Sequence, residues 1–123
     1  MQTLPPRALL IGLEPDLASE LEQTLARMGH AASRSEIDQV PALARRLDVI
    51  FCSDQWSNVN SLVALLRSLR TPIRVIVASR KAEERAWLEA LEAGADDYCS
   101  TPFETAQISW AMHHAPAAAS RCM

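Results

Sequence analysis

The sequence predicts a doubly wound α/β fold of three layers, in which five parallel strands form an open sheet with helices on both faces. Short apolar runs alternate along the chain with segments whose apolar residues recur at helical spacing. Each stretch between two such runs is long enough to hold a helix, as a crossover between parallel strands requires. Nearly continuous apolar strands are typical of a parallel sheet buried on both faces, and right-handed crossovers favour the doubly wound form.

The first half of the chain is predicted to contain three strands and two helices. The first strand covers residues 8–11, and the first helix begins near Pro15, because a proline early in a helix and an acid in its first turn are favourable. Gly29 ends this helix. A weak strand at residues 30–33 and a nearly continuous apolar strand at residues 48–52 follow. Apolar residues at helical spacing mark the two helices: Leu17, Leu21, Leu25 and Met28, then Ile37, Val40, Ala44 and Leu47.

The second half repeats the pattern with three helices and two strands. The third helix carries Leu62, Leu65, Leu66 and Leu69 and is broken by Pro72. A strand at residues 73–78, a helix at 82–93 that stops at Gly94, a short strand at 97–100 and a last helix at about 104–114 follow. We therefore expect one domain over residues 7–115, with residues 116–123 as a tail or linker.

Composition excludes several classes of function. The chain has 123 residues, 49% of them hydrophobic and 22% charged, with a formal net charge of −3, so no global field attracts it to nucleic acid or to an anionic membrane. No apolar run approaches the roughly 20 residues that cross a bilayer, and residues 1–6 lack the pattern of a secretory signal. The three cysteines include no C-x-x-C pair, so neither a disulfide framework nor a zinc site is expected. We expect a cytoplasmic protein.

Several segments resemble the receiver domain of bacterial two-component response regulators. The most specific is residues 91–98 (LEAGADDY) with residues 101–103 (TPF), which is similar to the family signature LEAGADDYxxKPF. Residues 11–17 (IGLEPDL) are similar to its opening VDDEPDL, and residues 48–53 (DVIFCS) to the strand that ends in the phosphorylated aspartate. The resemblance implies a flavodoxin-like sheet of order 2-1-3-4-5 and a role in two-component signal transduction. Implied protein partners are a histidine kinase, an output domain or another regulator.

The same resemblance implies a degenerate phosphorylation pocket. The two adjacent acids that hold magnesium in the family fall on Gly12 and Leu13, which leaves only Glu14 beside them. The phosphoacceptor aspartate falls on Ser53, and the pocket lysine falls on Thr101. Two positions are kept: Ser79 as the hydroxyl and Tyr98 as the switch aromatic. The bond before Pro102 is a candidate cis peptide, as the matching bond is in the family.

These substitutions remove most groups that phosphoryl transfer needs. Magnesium requires oxygen ligands, which Gly12 and Leu13 do not have, and Thr101 supplies a hydroxyl where a cation is needed. We therefore expect no enzyme activity, no cofactor and no conventional aspartyl phosphorylation. In the main alternative, Asp54 accepts phosphate and Mg²⁺ is held by Asp54 and Glu14, with Asp16 as a further ligand.

The strand pattern argues against that alternative, because side chains alternate between the faces of a strand. A shift of one residue from Ser53 to Asp54 aims the carboxylate away from the pocket, to cap the following loop or face water. A bulge or an early end of the strand would re-aim it. A second alternative is a small-ligand-binding domain of flavodoxin-like shape, but the three glycines are too far apart to form a phosphate loop.

Three tryptophans are candidates for an interface. Trp56 is expected in the loop after the third strand, close to the pocket, while Trp87 and Trp110 lie on the fourth and fifth predicted helices. Tryptophan is enriched in binding hot spots, and receivers commonly use these two helices for dimers and partners, so a homodimer through helices 4 and 5 is possible. The basic residues of the segment 67–85 alternate with acids, which predicts a solvated rim rather than a nucleic-acid surface.

Overall fold

The computed structural model describes residues 7–81 and 83–113. Strands and helices alternate along this part of the chain as β1 (Arg7–Ile11), α1 (Pro15–Arg27), β2 (Ala31–Ser35), α2 (Val40–Leu43), β3 (Val49–Cys52), α3 (Trp56–Leu69), β4 (Arg74–Ser79), α4 (Glu84–Glu92), β5 (Asp97–Ser100) and α5 (Thr105–His113). Residues 114 and 115 of the predicted domain and the predicted tail at 116–123 lie outside the described residues. None of the described helices is long and apolar enough to cross a membrane.

The five strands form one parallel sheet in the order β2-β1-β3-β4-β5, as predicted. The order reverses at β1, which pairs with β2 on one side and with β3 on the other. Ligand sites in such sheets lie outside the carboxyl ends of the strands at this reversal. The carboxyl ends of β1, β3 and β4 are therefore the part of the fold that positions a site.

The core consists of two apolar layers, one on each face of the sheet. Alternate residues of each strand point to opposite faces, so Leu9 and Ile50 belong to one layer while Leu10 and Phe51 belong to the other. The first layer packs against α2, α3 and α4, and the second packs against α1 and α5. The predicted helices on both faces are confirmed.

The second helix is shorter than the sequence pattern predicts. Instead of one helix through residues 37–47, the chain forms a 3₁₀ turn at Ile37–Gln39, the four-residue α2 and a second 3₁₀ turn at Ala44–Arg46. Pro41 explains the break, because it has no N–H to donate to the carbonyl four residues earlier and is tolerated only in the first turn of a helix. The prediction of a single helix here was wrong.

Left-handed backbone ends three of the other helices. Gly29 follows α1 at φ 81° and Gly94 follows α4 at φ 104°, as expected for glycines that stop a helix. At the end of α3 the same role falls to Arg70, whose φ is 52°. A left-handed residue other than glycine costs on the order of 1 kcal/mol.

Candidate functional site

A cavity of about 270 Å³ lies at the carboxyl ends of β1, β3 and β4, next to the point where the strand order reverses. The residues that line it come from the three loops that follow these strands: Gly12, Leu13, Glu14, Leu17, Ser53, Asp54, Gln55, Ala78, Ser79, Arg80 and Lys81. The fold therefore brings together five residues that the resemblance placed in the pocket: Gly12, Leu13, Glu14, Ser53 and Ser79. Thr101, also placed there by the resemblance, lies just after β5 and contacts the site through its backbone N–H, which donates to the Ser79 carbonyl at 3.0 Å.

Asp54 points into this cavity, contrary to the expectation that it caps a loop or faces water. Its Oδ2 accepts a hydrogen bond of 2.8 Å from the Ser79 hydroxyl, and Asp54 is half-buried. The expectation failed because β3 ends at Cys52, so the alternation of a paired strand does not extend to residues 53 and 54.

Ser79 and Tyr98 are linked through the backbone of Lys81. The buried Ser79 hydroxyl accepts a hydrogen bond of 3.0 Å from the Lys81 N–H, and the Tyr98 hydroxyl donates to the Lys81 carbonyl. Tyr98 is buried, and this burial raises the pKa of its phenol above the ordinary value. A continuous chain of contacts thus runs from Asp54 to an inward-facing Tyr98 ring.

The opposite wall of the cavity is crowded around Gly12 and Ser53. Ser53 is buried, and its hydroxyl accepts a hydrogen bond of 3.3 Å from the Asn58 side-chain amide, which also donates to Gln55 Oε1 at 3.2 Å. Gly12 has φ 71°, and a Cβ at this position would lie 3.3 Å from Asn58 Nδ2 and 3.5 Å from Ser53 Oγ. Position 12 therefore accepts a side chain only with backbone strain and displacement of Asn58.

Asn58, Arg80 and Lys81 are site residues that sequence reasoning missed. Asn58 lies in the first turn of α3, five residues after Ser53, and no family motif or spacing pointed to it. Arg80 was assigned only to a solvated rim, yet it lines the cavity and its Nε lies 3.6 Å from Glu14 Oε2. Only the folded chain places the loop after β4 beside the loop after β1.

The three tryptophans belong to three different helices. Trp56 begins α3 and is not in the loop where it was expected. Trp87 is 40% exposed and Trp110 is 61% exposed, and both line a groove of about 430 Å³ between α4 and α5 whose floor includes Tyr98. Tyr98 therefore lies between the chain of contacts at the cavity and this exposed aromatic groove.

Sequence comparisons give two curated relatives. No protein-family model matches the chain. It is 31% identical over 109 residues to the transcriptional regulatory protein PrrA of Mycobacterium leprae, a match that covers 84% of this chain and 46% of that protein. It is 29% identical over 116 residues to the protein PetR of Rhodobacter capsulatus, covering 88% of this chain and 47% of that protein. The chain thus spans somewhat less than half the length of either relative.

Solved structures extend the comparison. The chain is similar to an atypical orphan response regulator with a phosphorylation-independent regulatory mechanism, with a TM-score of 0.63 and 28% identity over 94% of both chains. It is similar to HP1043, an orphan response regulator of H. pylori, with a TM-score of 0.67 and 26% identity over 91% of this chain and all of the other. The chain has the fold of a response-regulator receiver domain. The fold is shared by a response regulator of Burkholderia pseudomallei with a phosphorylated aspartic acid and a calcium ion. The TM-score is 0.65 and the identity is 22%, and the match covers 94% of this chain and 69% of the other.

The magnesium site implied by the receiver fold does not fit these residues. Gly12 and Leu13 supply no side-chain oxygen, Glu14 is 75% exposed and paired with Arg80, and Asp54 accepts a hydrogen bond from Ser79. Within residues 7–81 and 83–113, no group of three or more His, Cys, Asp or Glu side chains could hold a metal ion. Asp16, offered as a further ligand, is an exposed residue of α1 and does not line the cavity.

Two features of the receiver are retained at the end of β5. The Thr101–Pro102 peptide bond is cis, as the resemblance suggested. Tyr98 lies in β5, in register with Val77 of β4, and its ring is turned inward. The receiver thus retains the hydroxyl and aromatic positions of the family while its metal and cation positions are replaced.

Proposed function

We propose that this receiver is a two-component-type signalling module that acts by protein–protein contact and does not depend on aspartyl phosphorylation. The observation that carries the proposal is at position 12, where a glycine replaces a carboxylate of the family. This glycine has φ 71° and packs against Asn58 and Ser53. Under this proposal the domain is not an enzyme, needs no cofactor and works in the cytoplasm.

Phosphoryl transfer to a carboxylate is mainly a problem of neutralising negative charge. A metal ion and a fixed cation stabilise the transferred group, and loss of one preorganised donor typically costs about 2.7–4 kcal/mol of transition-state stabilisation. Here both metal-ligand positions and the lysine position are replaced at once, at Gly12, Leu13 and Thr101. The phosphorylation-independent mechanism described for the orphan regulator of similar sequence supports the same proposal.

The proposed contact surface is the groove between α4 and α5. Trp87 and Trp110 expose large aromatic surfaces there, and aromatic anchors of this kind are enriched in binding hot spots. Tyr98 lines the same groove and is linked through Lys81 to Ser79 and Asp54, so a path of hydrogen bonds joins the cavity to the groove. The partner under this proposal is a histidine kinase, an output domain, another regulator or a second copy of the receiver.

Incubation with acetyl phosphate and Mg²⁺, followed by intact-mass measurement, tests the proposal. We expect no mass gain of one phosphoryl group, and no Mg²⁺-dependent change of tryptophan fluorescence with beryllofluoride. A receiver that phosphorylates in the same reaction serves as the positive control. A stoichiometric mass gain that disappears in Asp54→Ala would overturn the proposal.

A second candidate is a working receiver that accepts phosphate at Asp54 with Mg²⁺. One observation favours it: the Asp54 carboxylate lies in the cavity, 2.8 Å from the Ser79 hydroxyl, which is the hydroxyl position of the family. The mass experiment separates the two candidates, because only the second predicts a phosphoryl adduct. The size of the cavity at the carboxyl ends of the strands does not favour the flavodoxin-like ligand-binding alternative, since its volume of about 270 Å³ is smaller than the roughly 300–1,000 Å³ of typical small-molecule sites.

A further inference from the structure

A separate groove lies at the amino ends of β3 and β4, at the opposite end of the sheet from the cavity. Its volume is about 510 Å³. Its walls are partly apolar and include Pro41, Pro72 and the side chain of Leu69, which is 39% exposed at the end of α3. Both prolines are exposed as well, so the groove has apolar surface outside the core.

Two arginines line the groove without an internal counter-ion. Arg45 and Arg70 are both exposed, and neither has an acidic oxygen within 4.0 Å among the described residues. Asp48 is the acid among the residues that line the groove, but its Oδ2 accepts a hydrogen bond of 2.9 Å from the backbone N–H of Arg7. The groove therefore presents two guanidinium groups whose charge is open to an external carboxylate.

The backbone of Arg70 gives a second reason to regard this groove as functional. Arg70 ends α3 in the left-handed conformation, at φ 52°, where glycine is favoured because it has no Cβ. A glycine would end the helix with less strain. The requirements of the helix end therefore do not explain an arginine at this position.

We propose that this groove docks a carboxylate-bearing, partly apolar segment of a partner protein. The guanidinium fork of arginine matches a carboxylate in two parallel hydrogen bonds, and the apolar walls suit the side chain next to it. Two arginines are too few for a nucleic-acid duplex, since such complexes typically neutralise about 6–10 phosphates. The surface is distinct from the phosphorylation cavity and from the groove between α4 and α5, so the inference does not depend on the proposed function.

Fluorescence anisotropy of the full chain with a labelled hexapeptide of alternating glutamate and leucine tests this inference at 150 mM salt. We expect saturable binding, and in Arg70→Gly we expect at least a tenfold loss of affinity with a thermal midpoint no lower than that of the parent. Arg46→Ala is the matched control, because it removes a neighbouring exposed arginine that does not line the groove. We expect that control to change the affinity by less than threefold.

Four results would overturn the inference. The first is no binding of the peptide up to millimolar concentration, and the second is equal affinity in Arg70→Gly and the parent. The third is equal binding of a hexapeptide of alternating glutamine and leucine, which carries no carboxylate. The fourth is displacement of the peptide by an equal concentration of inorganic phosphate, which would make the groove a general anion site.

Discussion

The hydroxyl of Ser79 donates a hydrogen bond of 2.8 Å to the carboxylate of Asp54, across 25 positions of sequence. This bond joins the ends of β3 and β4 at the carboxyl edge of the sheet, where both residues line the cavity of about 270 Å³. Through the backbone of Lys81 the same hydroxyl is connected to Tyr98 and so to the groove between α4 and α5.

Removal of the Asp54 carboxylate is expected to destabilise the domain. In Asp54→Ala the buried Ser79 hydroxyl loses its acceptor, and loss of a hydrogen bond to a charged group costs about 1.5–3 kcal/mol. Urea unfolding at pH 7 measures this change. Asp54→Asn is the matched control, because it keeps an acceptor oxygen. We expect its loss in the free energy of unfolding to be less than half of the loss in Asp54→Ala. Equal stability of Asp54→Ala and the parent would mean that the bond does not form in solution.

The two glycines that end α1 and α4 are expected to respond differently to alanine. Gly29 at φ 81° has no heavy atom within 4 Å of an added Cβ, whereas a Cβ on Gly94 at φ 104° would lie 2.9 Å from Val63 Cγ1. Gly29→Ala should therefore lower the free energy of unfolding by on the order of 1 kcal/mol, from backbone strain alone. Gly94→Ala should lower it by about 1–3 kcal/mol more than Gly29→Ala does, because overpacking a core has a cost of this size. Thermal and urea unfolding check the order, and a larger loss in Gly29→Ala would contradict it.

Alkaline pH is expected to destabilise the domain through its buried thiols. Burial raises the pKa of Cys52 to about 12, and burial raises the pKa of Cys99 as well. Unfolded thiols titrate near pH 8.5, so the unfolded state releases their protons first as the pH rises. The thiol contribution to stability is therefore complete below about pH 8.5 and is lost as the pH rises toward the folded pKa values.

Urea unfolding in the presence of reductant at pH 8.0 and pH 9.5 measures this loss. Since one pKa unit corresponds to about 1.4 kcal/mol, we expect the free energy of unfolding to fall by about 2–3 kcal/mol between the two values. Cys52→Ala should halve the change, although it lowers stability at both pH values. Cys122 lies outside the described residues, so the comparison is made in a Cys122→Ser background. An unchanged free energy of unfolding at pH 9.5 would contradict the burial of both thiols.

If the groove between α4 and α5 is the dimer face, self-association is expected to depend on Trp110. It is also expected to become stronger as the salt concentration rises. The groove contains Glu83, Glu84 and Asp97, so two copies that meet through this face bring like charges together, and salt screens their repulsion. Sedimentation velocity at low and high ionic strength measures the association. Trp110→Ala should abolish the association, because this side chain is 61% exposed and lines the groove.

Leu69→Ala is the control for that experiment, since Leu69 is exposed at the opposite end of the sheet. The control variant should associate as the parent does. Association that weakens with salt, or that survives in Trp110→Ala, would exclude this face as the dimer contact.

Much of the fold follows from local sequence pattern. The strands at residues 48–52, 73–78 and 97–100 were predicted to within a residue at either end, because continuous apolar runs between turn residues have few alternatives in a parallel sheet. The second helix was predicted as one element because periodicity does not register the missing N–H of Pro41. The strand order came from the resemblance to receivers, since periodicity alone does not say which strands pair.

The sequence by itself determined which chemical groups the receiver has: a hydroxyl at Ser79, an aromatic at Tyr98, and no side-chain oxygen at Gly12 or Leu13. Only the tertiary structure decided where those groups point. It ended β3 before Ser53, which turned Asp54 toward Ser79, and it placed Arg80 at the cavity and Asn58 of α3 against Ser53. The physical reason is that residue identity is local, whereas side-chain direction depends on where backbone pairing ends and on which loops the sheet brings together.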